Sequence, residues 1–220
     1  MELISSPDEK AGVEAMAQKI TSSLSSGKKV LWLICGGSNI PYAKEAMDLI
    51  RLRQRDALPL LSIGQTDERY GEVGHKDSNW QQMIEANFNF EGVKTLPILR
   101  GKPRAETVAE YAPVIEQAFN EHHVVVAQFG IGADGHVAGM LPHTGGISAA
   151  ELVFGYDSPP FVRITLTPPA FTHINAAYTF AFGAAKREAI DKLKQILPLE
   201  EEPCQILKTI SESYFYSDQV

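Results

Sequence analysis

The strongest constraint on this chain is a set of short, uninterrupted apolar runs set between segments of helical periodicity. Val30-Leu31-Trp32-Leu33-Ile34 and Val124-Val125-Val126-Ala127-Gln128-Phe129 put hydrophobic side chains on both sides of an extended backbone. Such strands belong inside a sheet that is covered on both faces. The segments between them behave differently. Val13, Met16, Ala17, Ile20 and Leu24, and again Val108, Tyr111, Ala112, Ile115, Ala118 and Phe119, recur at the spacing of one helix face. Strands alternating with helices in this way specify an α/β protein with a mostly parallel sheet.

Applied along the chain, the pattern predicts a helix after Pro7-Asp8-Glu9 that ends at Gly27, a strand over 28–35, and a helix from Pro41 that uses Ala43, Ala46, Met47 and Ile50. It then predicts a strand over 58–63, a helix over 80–88, and a strand over 93–99 whose Pro97 suits an edge position. After the helix and strand that end at Phe129, residues 143–160 read as loop, because Gly145, Gly146, Gly155, Pro159 and Pro160 crowd there. Strands follow over 162–167 and 178–182, then a helix over 184–197 with Ile190, Leu193, Ile196 and Leu197 on its apolar side, and a last short strand over 214–216. No break in composition divides the 220 residues, so a single domain is expected.

Several function classes drop out early. Twenty basic against 27 acidic residues leave a net charge of −7, which opposes general binding to a polyanion such as nucleic acid. No apolar run reaches the roughly 18–20 residues of a membrane span, and residues 1–10 lack the apolar centre of a secretory signal. Cys35 and Cys204 are too few for a disulfide framework or a cysteine-based metal site, and they fit a reducing, cytoplasmic setting. The histidines show no metal-ligand spacing.

In an open parallel sheet, ligands bind beyond the carboxyl ends of the strands. Four glycine-rich or polar segments follow predicted strands and would meet there. Gly36-Gly37-Ser38-Asn39 leads from a strand into a helix. It reads either as a phosphate cradle of backbone N–H groups or as a tight, capped turn, and it is not a Walker loop. Asp67-Glu68-Arg69 reads either as a solvated charge triplet or as a binding element. In the second case Arg69 would grip an anion and Asp67 a sugar hydroxyl. Gly130-Ile131-Gly132-Ala133-Asp134-Gly135-His136 matches a dinucleotide fingerprint only formally, since no strand ending in an acidic residue follows at the right distance. Its Asp134 and His136 offer a carboxylate beside a proton acceptor, although a loop histidine is also common as plain structure. Lys186, after Gly183, would sit in the first turn of a helix, where the dipole opposes a cation.

Taken in order, these segments, with Ser78-Asn79 downstream of Asp67 and Arg163-Ile164-Thr165-Leu166-Thr167 before Gly183, resemble the glucosamine-6-phosphate isomerase/6-phosphogluconolactonase family over about residues 10–210. Asp67-Glu68-Arg69 with its Ser-Asn is more typical of the lactonases, which the deaminases replace with Asp-Glu-Tyr. The resemblance implies a three-layer αβα sandwich with a Rossmann-like sheet and no metal or nucleotide cofactor. It also implies hydrolysis of 6-phospho-D-glucono-1,5-lactone to 6-phosphogluconate in the pentose phosphate pathway.

On that footing His136 is expected to activate water and Asp134 to orient it. Gly36, Gly37, Ser38, Asn39, Asp67, Arg69, Gly132 and Lys186 are expected to bind the sugar phosphate, and backbone N–H groups of 130–136 to meet the oxyanion. The chain departs from the family pattern at Asn39-Ile40-Pro41, at Ala138-Gly139-Met140-Leu141-Pro142 and at Glu202-Pro203-Cys204-Gln205. A deaminase/isomerase using Asp67 as base, or a non-catalytic sugar-phosphate-binding module, are the alternatives.

Overall fold

The computed structural model describes residues 1–220. Its ten strands are β1 (Glu2–Ser5), β2 (Val30–Ile34), β3 (Leu61–Gln65), β4 (Asp67–Arg69), β5 (Lys94–Thr95), β6 (Val124–Phe129), β7 (Val153–Ser158), β8 (Phe161–Leu166), β9 (Ala176–Phe180) and β10 (Glu212–Ser217). The helices are α1 (Lys10–Ser25), α2 (Ile40–Gln54), α3 (Asn79–Glu85), α4 (Arg104–Glu121), α5 (Gly145–Ser148), α6 (Pro168–Phe171) and α7 (Arg187–Leu193).

Seven strands form one sheet in the order β1-β10-β9-β6-β2-β3-β5, and every pairing in it is parallel. β2, β3, β6 and β9 are buried at every residue, as their apolar runs require. The two faces of β2 feed separate cores. Val30, Trp32 and Ile34 pack with Val13, Met16 and Ile20 of α1 and Ala43, Met47 and Ile50 of α2. Leu31 and Leu33 pack with Tyr111, Ile115 and Phe119 of α4 and Ile190 and Leu193 of α7. The period-two alternation of a strand thus sends neighbouring side chains into opposite helical layers, and the result is an αβα sandwich. No helix is long and apolar enough to cross a membrane.

A second sheet, β4-β8-β7, is antiparallel. Here the sequence-based expectation needs correction. Residues 143–160 are not mainly loop, because they hold α5 and β7, and β7 pairs with β8 along its whole length. Gly155 lies inside β7. A Cβ there would fall 2.9 Å from Val108 Cγ2 of α4, so this glycine permits a close helix–strand approach and does not mark a loop. The strand expected over 162–167 exists but joins this second sheet.

Other boundaries move for local reasons. Arg55–Leu60 forms a 3-10 turn around Pro59, so β3 begins only at Leu61. The strand expected over 93–99 shrinks to Lys94–Thr95, at the sheet edge. The helix expected over 184–197 is a 3-10 turn, Ala184–Lys186, followed by α7, which ends at Leu193. Ile196, expected on its apolar side, is 97% exposed. Pro198 favours an extended residue before it and draws the chain out of the helix.

Candidate active site

The carboxyl ends of β2, β3, β6 and β9 do bring the four segments together, around an open cleft of about 150 Å³. Gly36, Gly37, Ser38, Asn39, Asp67, Arg69, Gly132, His136 and Lys186 border it, with Cys35 and Arg163.

The loop after β6 folds back on itself. Gly132 N–H donates to His136 O at 2.8 Å, Gly135 N–H donates to Gly132 O at 3.2 Å, and Gly135 takes a φ of +80°. This turn brings the His136 ring onto Asp134, with Nδ1 2.6 Å from Oδ1. The same oxygen accepts from His136 N–H at 3.2 Å. An ionised carboxylate only accepts, so the network assigns the proton to Nδ1 and leaves Nε2 as the free ring acceptor. The hydrogen bond from His136 holds the Asp134 carboxyl down at about 2, although partial burial works against it. Gly132 is needed at this point, because a Cβ would fall 2.1 Å from His136 Nδ1 and 2.2 Å from Asp134 Oδ1. The N–H groups of Gly132, Gly135 and His136 all donate within the loop, so these three do not serve an oxyanion, contrary to expectation.

The Asp67-Glu68-Arg69 triplet is not a solvated charge cluster. It is the strand β4, with Asp67 only 5% and Glu68 0% exposed. Glu68 accepts from Gln65 Nε2 at 2.8 Å, Ser78 Oγ at 2.9 Å, and the N–H groups of Arg69, Asn79 and Trp80 at 2.8, 2.6 and 3.0 Å. It therefore satisfies the first amides of α3, with Ser78 as the N-cap residue. Burial pushes its carboxyl up, while the amide donors favour the charged form. Asp67 accepts from Thr66 Oγ1 at 2.9 Å and more distantly from Asn79 Nδ2 at 3.4 Å, and it borders the cleft.

Arg69 has a partner to which the sequence reading gave no role, although Arg163 stands in one of the segments that carry the family resemblance. The register of β4 on β8 sets Arg69 opposite Arg163. Both guanidinium groups lie over the Phe161 ring, at 4.8 and 5.6 Å from its centroid. Both Nε atoms are buried without a protein acceptor. Like charges directly opposite on paired strands repel. Two such groups, each with an unsatisfied donor, suit an anion that accepts from both. The signal in the sequence is a lone arginine interrupting the apolar stretch Phe161-Val162-Arg163-Ile164.

Lys186 donates from Nζ to Ile131 O at 2.7 Å. A carbonyl of the β6 loop thus holds the cation at the helix start, against the dipole. Gly36 and Gly37 turn the chain into a 3-10 segment, Gly37–Asn39, that leads into α2. A Cβ at Gly36 would overlap Asn79 Oδ1 at 1.9 Å, and Gly37 has a φ of +69°. Asn39, expected among the phosphate ligands, uses its side chain otherwise. It is 4% exposed, and its Nδ2 donates to Phe129 O at 3.2 Å, Phe180 O at 3.4 Å and Cys35 Sγ at 3.7 Å. Asn39 therefore ties together the ends of β2, β6 and β9. No three His, Cys, Asp or Glu side chains cluster so as to hold a metal ion.

The sequence matches the family described as glucosamine-6-phosphate isomerases/6-phosphogluconolactonase over residues 8–215. The chain belongs to this family. Among its relatives, a 6-phosphogluconolactonase of Helicobacter pylori strain J99 is 24% identical over 217 residues, covering 94% of this chain and 92% of that one. A Nostoc 6-phosphogluconolactonase is 32% identical over 142 residues, 56% of each chain. In three dimensions the fold is that of the Thermotoga maritima 6-phosphogluconolactonase, with a TM-score of 0.80, 20% identity, and 98% and 97% of the two chains covered. A monomeric glucosamine-6-phosphate deaminase superposes almost as well, with a TM-score of 0.79, 16% identity, and 100% and 98% covered. Both branches of the family thus share this backbone, and the side chains in the cleft must distinguish them.

Proposed function

We propose that this chain hydrolyses 6-phospho-D-glucono-1,5-lactone to 6-phosphogluconate in the pentose phosphate pathway. One observation carries the reading: His136, paired with Asp134 behind it, borders a cleft that Arg69, Arg163 and Lys186 also line, so a proton acceptor and an anion grip share one space.

The chemistry follows from that combination. The phosphate is held by Arg69 and Arg163, with Lys186 and the amides at the Gly37-Ser38 turn completing the grip. Asp67 is placed to accept from a sugar hydroxyl. Binding at the far end sets C1 of the lactone near His136. His136 Nε2 takes a proton from water as the water oxygen bonds to C1, and the carbonyl electrons move onto its oxygen. When the tetrahedral intermediate collapses, the bond from C1 to the ring oxygen breaks, and His136 returns the proton to that oxygen. Asp134 keeps Nδ1 protonated and stabilises the imidazolium formed in between. No covalent nucleophile is needed, which accords with the deep burial of Cys35 and with burial pushing its thiol up to about 12.

We read residues 1–220 as one catalytic domain, because the cleft draws on both sheets, and we assign it to the cytoplasm. Both cysteines are free, as a reducing compartment allows.

The test is acid release from freshly prepared lactone in a pH-stat, with spontaneous hydrolysis subtracted. His136→Ala is expected to lower kcat by about 10²–10⁴-fold with KM little changed. Full activity in that variant would remove His136 from the mechanism. Ammonia released from glucosamine-6-phosphate, without acceleration of the lactone, would replace this reading with the deaminase one.

A further inference from the structure

Against Gly135 of the 130–136 loop, and outside the cleft lining, lies a carboxylate that the mechanism above does not use. Glu202 is 2% exposed, and its Oε1 rests against Gly135, where a Cβ would come within 1.9 Å of it. The backbone around it is fixed: Glu202 N–H donates to Pro198 O at 3.0 Å and Gln205 N–H to Glu202 O at 3.0 Å. The same turn clasps the loop itself, since Cys204 N–H donates to Gly135 O at 2.9 Å. Yet the carboxylate has little to neutralise it. The Cys204 thiol, 3.7 Å from Oε1, is its one side-chain donor. The cation acting on it, Lys192, is itself paired with Glu188 at 3.0 Å.

We propose that Glu202 is a positioning residue for the proton-transfer pair: its carboxylate, packed under Gly135, fixes the Asp134-Gly135-His136 turn and adds a negative charge that strengthens His136 as a proton acceptor. The proposal rests on the assignment of His136 as the base.

The charges around Glu202 define the sign. From the loop the charge of Asp134, the hydrogen-bond partner of His136, acts on it; from α7, Lys192 and Glu188; from its own turn, Cys204, with Lys208 acting on that thiol. Asp134 is anionic through the range where an imidazole titrates, because His136 holds it low. Burial pushes the Glu202 carboxyl up, and the neighbouring Asp134 charge pushes the same way. Once ionised, Glu202 becomes a second negative charge on the loop, and the imidazolium that forms during turnover is the cation able to relieve it. A neutral side chain at 202 removes that support and lowers the proton affinity of His136.

The experiment follows the His136 ring by NMR in the full-length protein between about pH 5 and 8, with the resonance assigned by its loss in His136→Gln. Glu202→Gln is expected to lower the titration midpoint of His136 by about 0.3–1 unit. The acid limb of kcat/KM for lactone hydrolysis should move down with it. Glu202→Asp keeps the charge and draws it back, so an intermediate midpoint is expected. That variant also decides the matter if Glu202→Gln does not fold. An unmoved midpoint in a folded variant would overturn the proposal. A moved midpoint in a protein that does not hydrolyse the lactone would uphold the coupling and refute the proposed function, so the two failures are distinguishable.

Discussion

The paired arginines give the sharpest handle on the substrate end of the cleft. Consider Arg163→Met, which keeps a long apolar stem over Phe161 and deletes the guanidinium. In the free protein three small effects oppose one another. Relief of the like-charge contact with Arg69 is worth about 0.2–1 kcal/mol. Loss of the cation–π contact with Phe161 costs about 0.5–1 kcal/mol. Removal of a buried Nε donor that lacks a protein acceptor offsets that cost. The net change in stability is therefore expected to lie within about 1 kcal/mol of zero, which urea denaturation would read.

The substrate complex behaves differently. There the same side chain would lose a hydrogen bond to a phosphate, worth about 1.5–3 kcal/mol. At about 1.4 kcal/mol per tenfold, KM should rise about 10- to 150-fold with kcat nearly unchanged. The control is the unphosphorylated lactone, glucono-1,5-lactone, which never makes that contact and should react equally in both proteins. The assay is the pH-stat run on both lactones side by side. A fall of equal size on both substrates would mean that Arg163 supports the cleft without touching phosphate. An unchanged KM for the phosphorylated lactone would place the anion elsewhere.

Two glycine and asparagine changes test the frame of the site. Gly132→Ala puts a methyl group 2.1 Å from His136 Nδ1 and 2.2 Å from Asp134 Oδ1. It should separate that pair and lower kcat by at least about tenfold, with thermal denaturation showing the fold intact; full activity would show that the pair need not be joined. Asn39→Asp replaces a buried donor with an acceptor that faces the carbonyls of Phe129 and Phe180. It should cost about 1–3 kcal/mol in urea denaturation, and a smaller loss would mean that Asn39 does not tie the strand ends together.

How much of this could be read in the sequence depends on which residues carried the information. β2 and β6 were legible because burial on both faces demands unbroken apolar runs, and the glycine-rich segments stood out because they follow such runs. β7 was hidden by Gly155, whose missing side chain serves contact with α4. β4 was hidden by its length of three residues and its charge, since its burial depends on Ser78, Asn79 and Gln65 meeting Glu68 from elsewhere. The site divides in the same way. Asp134 and His136 were legible as a pair two residues apart in one loop. Arg163 was not, because only the register of β4 on β8 brings it to Arg69. Glu202 was not, because a distant turn carries it under Gly135. Asn39 was found, but its role was misread, because a side-chain amide beside a glycine turn looks the same whether it faces a ligand or three strand ends.

The two sheets divide the work, and this explains why so simple a site can suffice. On the proposed mechanism the parallel sheet supplies the proton acceptor through the loop after β6, and the antiparallel sheet supplies the arginines through β4 and β8. Lys186 donates from Nζ to Ile131 O in the His136 loop and borders the same cleft as the two arginines. Sugar lactones of this kind open unaided in water, so an enzyme acting on them need not supply a covalent intermediate. General-base help of about 10²–10⁴-fold, combined with a substrate fixed at its far end, can do the rest. Discrimination then falls to the phosphate grip. In a chain of net charge −7, a dianion is drawn only where three cations gather. Arg69, Arg163 and Lys186 border this cleft together with His136.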